Sequence, residues 1–271
     1  MHQKTKEIQS RYEGFLQTQC LWRGNRIMNL HQFKIETLFS SFNEIINEKL
    51  RLGKYIERFV SYQLNNENDI EILCENIQIQ KDKITLGELD CILLKNNKPI
   101  HLEIIYKFYL YDESIGISEI EHFIGPNRKD SLIEKLNKLK EKQLPLLYSK
   151  ECESYLKSIN LTSDSIEQRV YFKAQLFIPY TKKEVQLNTI NQGCIVGYYI
   201  SFKNVNLLND CKFYIPNKKD WLVIPHQNVS WNMYDDSKIL IEEFMEREYS
   251  PLCWVKKQNG EIFKIFITWW A

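Results

Sequence analysis

The sequence predicts an α+β fold: a central mixed β-sheet flanked by helices, with a β-rich C-terminal half. Two observations favour this fold class. Apolar residues recur at helical spacing in the first half of the chain, whereas short aromatic and β-branched runs separated by prolines dominate the second half. The chain has 271 residues, 44% of them hydrophobic, which is enough to bury a substantial core.

The first helical pattern covers residues 31–64. Apolar residues recur at helical spacing in FSSFNEIINEKL and again in IERFVSYQL, and Gly53 is expected to interrupt the helix between them. We therefore expect an N-terminal helical segment over 1–50, followed by a main domain over 51–271 that forms one compact unit with it.

A β-rich stretch follows, in which LDCILLK and KPIHLEII form a predicted hairpin. Asn96-Asn97 is its expected two-residue loop, because asparagine tolerates the positive φ that such turns need. This loop sets the register so that Asp90 faces Glu103 directly across the strand pair. A three-residue loop would instead place Asp90 opposite Ile104.

Later segments complete the predicted fold. The stretch GPNRKDSLIEKLNKLKEKQL predicts a helix, in which Ser131 and Glu134 match a capping box. Strands are expected in VYFKAQLFIP, GCIVGYYISF, CKFYIP, WLVIP and EIFKIFITWW, and a helix in SKILIEEFMEREY. Asn259-Gly260 is a strong hairpin signal, which should fold the last strand back on residues 253–257.

Charge and cysteine usage restrict the function classes. The chain has 36 basic and 35 acidic residues, so its net charge of +1 gives no global attraction for nucleic acid or anionic membranes. Its seven cysteines form no CxxC pair, which is typical of reduced cytosolic thiols. No segment approaches the roughly 20 apolar residues of a membrane span. We expect a soluble cytoplasmic protein without a membrane partner.

The predicted hairpin brings two acids together. Opposed carboxylates repel one another and raise each other's proton affinity unless a cation lies between them. Mg²⁺ suits such a sparse site, because it binds one or two carboxylates together with waters and substrate phosphate. A solvated sheet face with mixed charges, in which Glu88 pairs with Lys107, explains the same residues equally well. From the residues alone both interpretations stay open.

The segments GELD and HLEIIYKF resemble the PD-(D/E)XK nuclease superfamily, and the likeness is greatest to an uncharacterised bacterial branch of it. Further similar segments are LGKYIERFV, the GPN loop, the helix ending in QL, and a late WL-x-x-P. The resemblance implies a restriction-endonuclease-like α/β domain over 51–271 with a β-rich C-terminal extension. It also implies Mg²⁺, or Mn²⁺ in its place, and hydrolysis of phosphodiester bonds, with DNA a more suitable substrate than RNA.

The resemblance also implies site residues. Asp90 and Glu103 match the metal-binding acids, and Glu57 matches an additional glutamate on the preceding helix. The usual acid-x-lysine spacing places Ile105 where a lysine is expected, and Lys107 comes two residues later. Lys107 is the predicted catalytic lysine because it shares the face of the acids.

Other residues are candidates for binding the nucleic acid. Arg128, Lys135 and Lys138 lie in the most basic stretch of the chain, and Gln143 follows them. Such a stretch would position phosphates without reading bases, although a solvated helix face is the commoner explanation. Lys135 is another possible substitute for the missing lysine, and either Lys135 or Gln143 could meet the substrate. The first hypothesis is a Mg²⁺-dependent nuclease, and the alternative is a catalytically impaired nuclease-fold module that binds nucleic acid or protein.

Overall fold

The structure, a computed structural model, describes residues 2–24, 27–36, 40–182 and 184–270. It confirms the α+β class, with a mixed sheet flanked by helices and a strand-rich C-terminal half. The helices are α1 (His2–Gln17), α2 (Leu52–Asn65), α3 (Leu132–Lys138), α4 (Lys150–Ser158) and α5 (Tyr234–Glu246). The strands are β1 (Ile70–Lys81), β2 (Ile84–Lys95), β3 (Lys98–Tyr111), β4 (Phe123–Ile124), β5 (Glu167–Pro179), β6 (Ile195–Ser201), β7 (Lys212–Tyr214), β8 (Leu252–Lys256) and β9 (Ile262–Thr268).

The chain divides into two compact units. The site unit comprises Cys20–Tyr106 and Glu134–Lys173. The C-terminal unit comprises Met1–Gln19, Lys107–Ile133 and Ala174–Ala271. Strands β3 and β5 and helix α3 each contribute residues to both units.

In the site unit, β1, β2 and β3 form an antiparallel meander. The predicted hairpin is confirmed: Asn96 and Asn97 have φ values of 50° and 61°, as a two-residue loop with both residues left-handed requires. Lys95 pairs with Lys98, and the ladder continues to the pair Cys91–Leu102. The register is therefore the one that directs Asp90 and Glu103 to the same face of the sheet.

The helix predicted over residues 31–64 is correct only from Leu52 onward. Residues 31–36 and 40–50 are not helical, and residues 37–39 lie outside the described part of the chain. The Phe33 N–H donates to the Val170 carbonyl and the Val170 N–H donates to the His31 carbonyl, at 2.8 and 2.9 Å. Because β5 satisfies these backbone groups, the segment is extended there. Gly53 does not interrupt a helix, since it lies in the first turn of α2.

In the C-terminal unit, the hydrogen-bonded strand order is β5-β6-β9-β8-β7, and β4 pairs with the end of β3. The pairs β5-β6 and β6-β9 are parallel, whereas β9-β8 and β8-β7 are antiparallel, so the sheet is mixed. The turn predicted at Asn259-Gly260 joins β8 to β9, where Gly260 has a φ of 88°. The segment WLVIP is not a strand, since Trp221 and Leu222 end a 3₁₀ helix.

The helix predicted after residue 131 forms but changes its pitch along its length. Helix α3 continues into a π-helical turn over Leu139–Gln143 and then into a 3₁₀ helix over Leu144–Tyr148. Within the described ranges, none of the helices has the length and apolar character needed to cross a bilayer. The seven cysteines are free thiols.

Candidate functional site

The candidate site lies in the site unit, where β2 and β3 separate. The Oδ2 atom of Asp90 accepts a hydrogen bond of 2.9 Å from the backbone N–H of Ile104. This bond holds the half-buried carboxyl group against β3, beside the carboxylate of Glu103. Burial, together with the charges of Glu103 and Glu57, raises the pKa of Asp90 to about 7, while the Ile104 N–H and Lys54 oppose the change.

The carboxylate of Glu103 is completely buried, and both of its oxygens accept hydrogen bonds. Oε1 lies 3.2 Å from Nε2 of His101, and Oε2 accepts a 2.6 Å bond from Nε2 of Gln143. A buried carboxylate without such donors would carry a large desolvation penalty. Each oxygen retains acceptor capacity for a further partner, because an ionised carboxylate offers about four lone-pair positions.

The hydrogen bonds of His101 indicate its tautomer. Nε2 of Gln168 donates to the Leu144 carbonyl at 2.6 Å and lies 3.1 Å from Nδ1 of His101. Since the amide nitrogen has only hydrogens to offer, Nδ1 is an acceptor, and the ring proton is on Nε2, facing Glu103. His101 therefore donates to Glu103 through Nε2 and orients its carboxylate.

The π-helical turn explains how Gln143 reaches the site. Oε1 of Gln143 accepts a 2.6 Å bond from Lys135, while its Nε2 donates to Glu103. These two partners leave the amide only one orientation. A π-helical turn widens the helix by one residue, and such turns occur frequently at functional sites. The sequence pattern predicted a regular helix here, because periodicity does not reveal a single inserted residue.

Lys54, which the sequence patterns do not predict as a site residue, lies beside the acids. The ammonium of Lys54, in the first turn of α2, contacts Glu57 at 2.9 Å, Asn76 at 2.5 Å, and Glu88. These acids raise the pKa of Lys54 even though burial opposes them. Burial raises the pKa of Glu57, and Lys54 counteracts the change. The helical spacing of Lys54 and Glu57 was the available signal, since residues three apart share one helix face.

The predicted lysine has a different partner. Lys107 donates to the carboxylate of Asp130 at 2.5 Å, and both residues belong to the C-terminal unit. A Cβ atom at Gly125 would lie 2.0 Å from the other oxygen of that carboxylate, so a side chain at position 125 would displace the Asp130 carboxylate. Gly125 of the GPN loop thus leaves the space in which the Asp130 carboxylate binds the Lys107 amine.

The remaining candidates have separate environments. Arg128, in the C-terminal unit, forms a 3.0 Å ion pair with Asp112 and lies 4.1 Å above the ring of Trp270. Lys138 is exposed on α3, as on an ordinary solvated helix face. Among the predicted contacts for nucleic acid, Lys135 and Gln143 are the two that join the network of Glu103.

The oxygen ligands at the site are of the type that a hard cation prefers, but they are few. Asp90 and Glu103 provide carboxylate oxygens, which Mg²⁺ prefers, and two carboxylates suffice when waters and phosphate complete the coordination. Glu57 is directed to Lys54 instead. Among the described residues, no three histidine, cysteine or carboxylate side chains come together in a group that could hold a metal.

Comparison with known proteins identifies the family but no activity. No curated protein and no solved structure matches the chain. Residues 24–264 match the family described as a domain of unknown function, DUF1853. This match includes all of the site residues described above and most of both units. The chain therefore belongs to the DUF1853 family.

Proposed function

We propose that the chain is a nuclease-like enzyme of the cytoplasm that hydrolyses phosphodiester bonds in DNA with the help of Mg²⁺ or Mn²⁺. The observation that carries the proposal is the position of the Asp90 carboxyl group beside a second, fully buried carboxylate on the next strand, and the raised pKa of Asp90 supports it. Two such carboxylates favour binding of a divalent cation, which would remove their mutual repulsion and return Asp90 to its ionised form.

Asp90 and Glu103 would hold the metal. When bound, the metal would activate a water molecule and neutralise charge that develops on the phosphate. His101 and Gln143 fix the direction of the Glu103 oxygens through the two hydrogen bonds described above. These two residues therefore act as positioning residues.

We assign to Lys54 the role of catalytic lysine that the sequence predicts for Lys107. Lys54 is the cationic group that acts on the pKa of Asp90, and its side chain is 42% exposed, so a phosphate can reach it. Its ammonium would donate to a phosphate oxygen beside the metal. Glu57 and Glu88 would keep it charged, because their hydrogen bonds raise its pKa.

Cleavage assays on plasmid and single-stranded DNA, with and without Mg²⁺ or Mn²⁺, test the proposal. Asp90→Asn and Glu103→Gln are expected to abolish cleavage, whereas Lys142→Ala, at an exposed position outside the network, retains it. Circular dichroism establishes that each variant is folded. Cleavage at the wild-type rate by either acid variant would refute the assignment.

The alternative is a module of the same ancestry that binds nucleic acid or protein without cleaving. One observation favours this alternative: the ammonium group of Lys54 already neutralises Glu57 and Glu88, so these two acids do not need a metal ion. Calorimetric titration with Mg²⁺ or Mn²⁺ separates the two functions. Retained DNA binding without uptake of metal by the wild-type protein would favour the module.

A further inference from the structure

Lys264 is a buried lysine in the middle of β9, in the C-terminal unit. Its exposed fraction is only 5%, and its Nζ donates to Oε1 of Gln175 at 2.9 Å and to the carbonyl of Trp221 at 2.5 Å. Both acceptors are neutral. Within the described part of the chain, no carboxylate forms an ion pair with this amine, which is uncommon for a buried lysine.

The sheet makes room for this side chain at one glycine. Lys264 pairs with Gly197 of β6, the strand between β9 and β5. A Cβ atom at Gly197 would lie 2.4 Å from the Lys264 carbonyl oxygen and 3.0 Å from its Cβ. With no side chain at position 197, the lysine can cross β6 and reach Gln175 on β5.

Burial against neutral partners leaves a large fraction of the amine uncharged near neutral pH. Burial lowers the pKa of Lys264 to about 7, because no anion among the described residues compensates the loss of water. A neutral amine has two hydrogens and one lone pair. The hydrogens match the two acceptors, Gln175 and Trp221, so the lone pair is available for chemistry.

Lys264 and its hydrogen-bond acceptor Gln175 both line a small cavity. It has a volume of about 190 Å³, and its walls include Val196, Leu222, Ile224 and Pro225, with Thr18 among the polar groups. An apolar cavity of roughly 150 Å³ holds benzene, so this one admits a molecule of about that size. The walls favour an uncharged, mostly apolar compound.

We propose that Lys264 is a nucleophilic amine that forms an imine with a small aldehyde or ketone bound in this cavity. Nζ attacks the carbonyl carbon and forms the C–N bond, and the oxygen leaves as water with both amine hydrogens. No oxidant or reductant is consumed, and hydrolysis reverses the reaction. Protonation of the imine nitrogen restores an N–H for Gln175 or for the Trp221 carbonyl. Lysines that are kept neutral by burial are the usual source of such nucleophiles.

Reductive trapping tests the proposal on the full-length protein. The protein is incubated with benzaldehyde and sodium cyanoborohydride at several pH values, and the alkylated lysines are mapped by mass spectrometry. Lys257 is the matched control in the same unit, since its hydrogen bond to Glu261 raises its pKa. Lys264 is expected to be labelled at least about tenfold faster than Lys257 at pH 8, with a rate that rises through pH 7.

Two variants distinguish a built site from chance reactivity. Lys264→Met removes the amine, and Ile224→Trp fills the cavity from a position that is 40% exposed while leaving the amine in place. Both are expected to reduce labelling at position 264 at least about fivefold, and Ile224→Trp decides the matter if Lys264→Met does not fold. The proposal is overturned if Lys264 is labelled no faster than Lys257, if Ile224→Trp has no effect, or if the rate does not saturate with benzaldehyde.

Discussion

The carboxylate of Asp90 accepts a 2.9 Å hydrogen bond from the backbone N–H of Ile104, the residue after its cross-strand neighbour Glu103. The side chain thereby takes a donor that would otherwise be available to the β2-β3 ladder, whose pairing ends at Cys91 and Leu102. The strands separate at this point, and the two acids lie at the opening. The candidate site therefore coincides with the end of regular pairing.

The raised pKa of Asp90 predicts how stability depends on pH. Because the folded protein holds this proton up to about pH 7, whereas an unfolded aspartic acid loses it near pH 3.8, the free energy of unfolding falls as pH rises from 4 to 7. We expect a loss of roughly 2–4 kcal/mol over this window. Asp90→Asn keeps an acceptor for Ile104 and should abolish most of the change. Urea unfolding at pH 5 and pH 8 measures the change for the wild type and for Asp90→Asn. An equal change in both proteins would contradict the assignment of the raised pKa to Asp90.

Lys54 and Lys107 should differ in their effect on Asp90. Lys54→Met removes a positive charge that lowers the pKa of Asp90, so that pKa is expected to rise. Lys107→Met is the matched control, since the amine of Lys107 is bound to Asp130. Titration of the Asp90 carboxyl carbon by NMR compares the variants. A larger change in the Lys107 variant than in the Lys54 variant would disprove the role that we give to Lys54.

Gln143 is expected to be important for stability as well as for the site. Gln143→Ala leaves the buried Oε2 of Glu103 without its 2.6 Å donor, which should cost about 1–3 kcal/mol of unfolding free energy. Lys142→Ala changes the preceding, exposed residue and should alter stability by less than about 0.5 kcal/mol. Chemical denaturation of both variants provides the comparison. Equal stability of the two would mean that water replaces the Gln143 donor.

The lowered pKa of Lys264 predicts that the free energy of unfolding changes with pH in the opposite direction, and at higher pH, than for Asp90. Its pKa is about 7 in the folded protein and roughly 10.4 when unfolded, so the unfolded chain binds more protons between these values. The free energy of unfolding should therefore rise with pH from 7 to 10, by roughly 2–4 kcal/mol. Lys264→Met should flatten this rise, as thermal unfolding at pH 7 and pH 9.5 would measure. An unchanged rise in the variant would show that Lys264 is charged when buried.

Local patterns predicted much of the site unit correctly. The Asn96-Asn97 turn and the alternation of the two flanking strands were enough to establish the register of β2 and β3. Such patterns work because a two-residue turn and a period of two leave few alternatives. The helix predicted over residues 31–36 and 40–50 was wrong, because spacing alone does not show whether the apolar residues share one buried face. Its apolar residues fit a helical spacing, but Phe42 and Ile46 are buried while Ile45 is 90% exposed, in a segment that is neither helix nor strand.

The amino-acid sequence by itself determined the α+β class, the hairpin and the two acids that it directs to one face, because turn chemistry and strand alternation are local. The tertiary structure decided which groups meet those acids. Lys54 and Gln143 come from helices 36 and 40 residues away in the chain from Asp90 and Glu103, respectively. No periodicity encodes such distances, and the pitch change after α3 that brings Gln143 to Glu103 depends on packing. The charge state of Lys264 is likewise a result of burial, which only the folded chain creates.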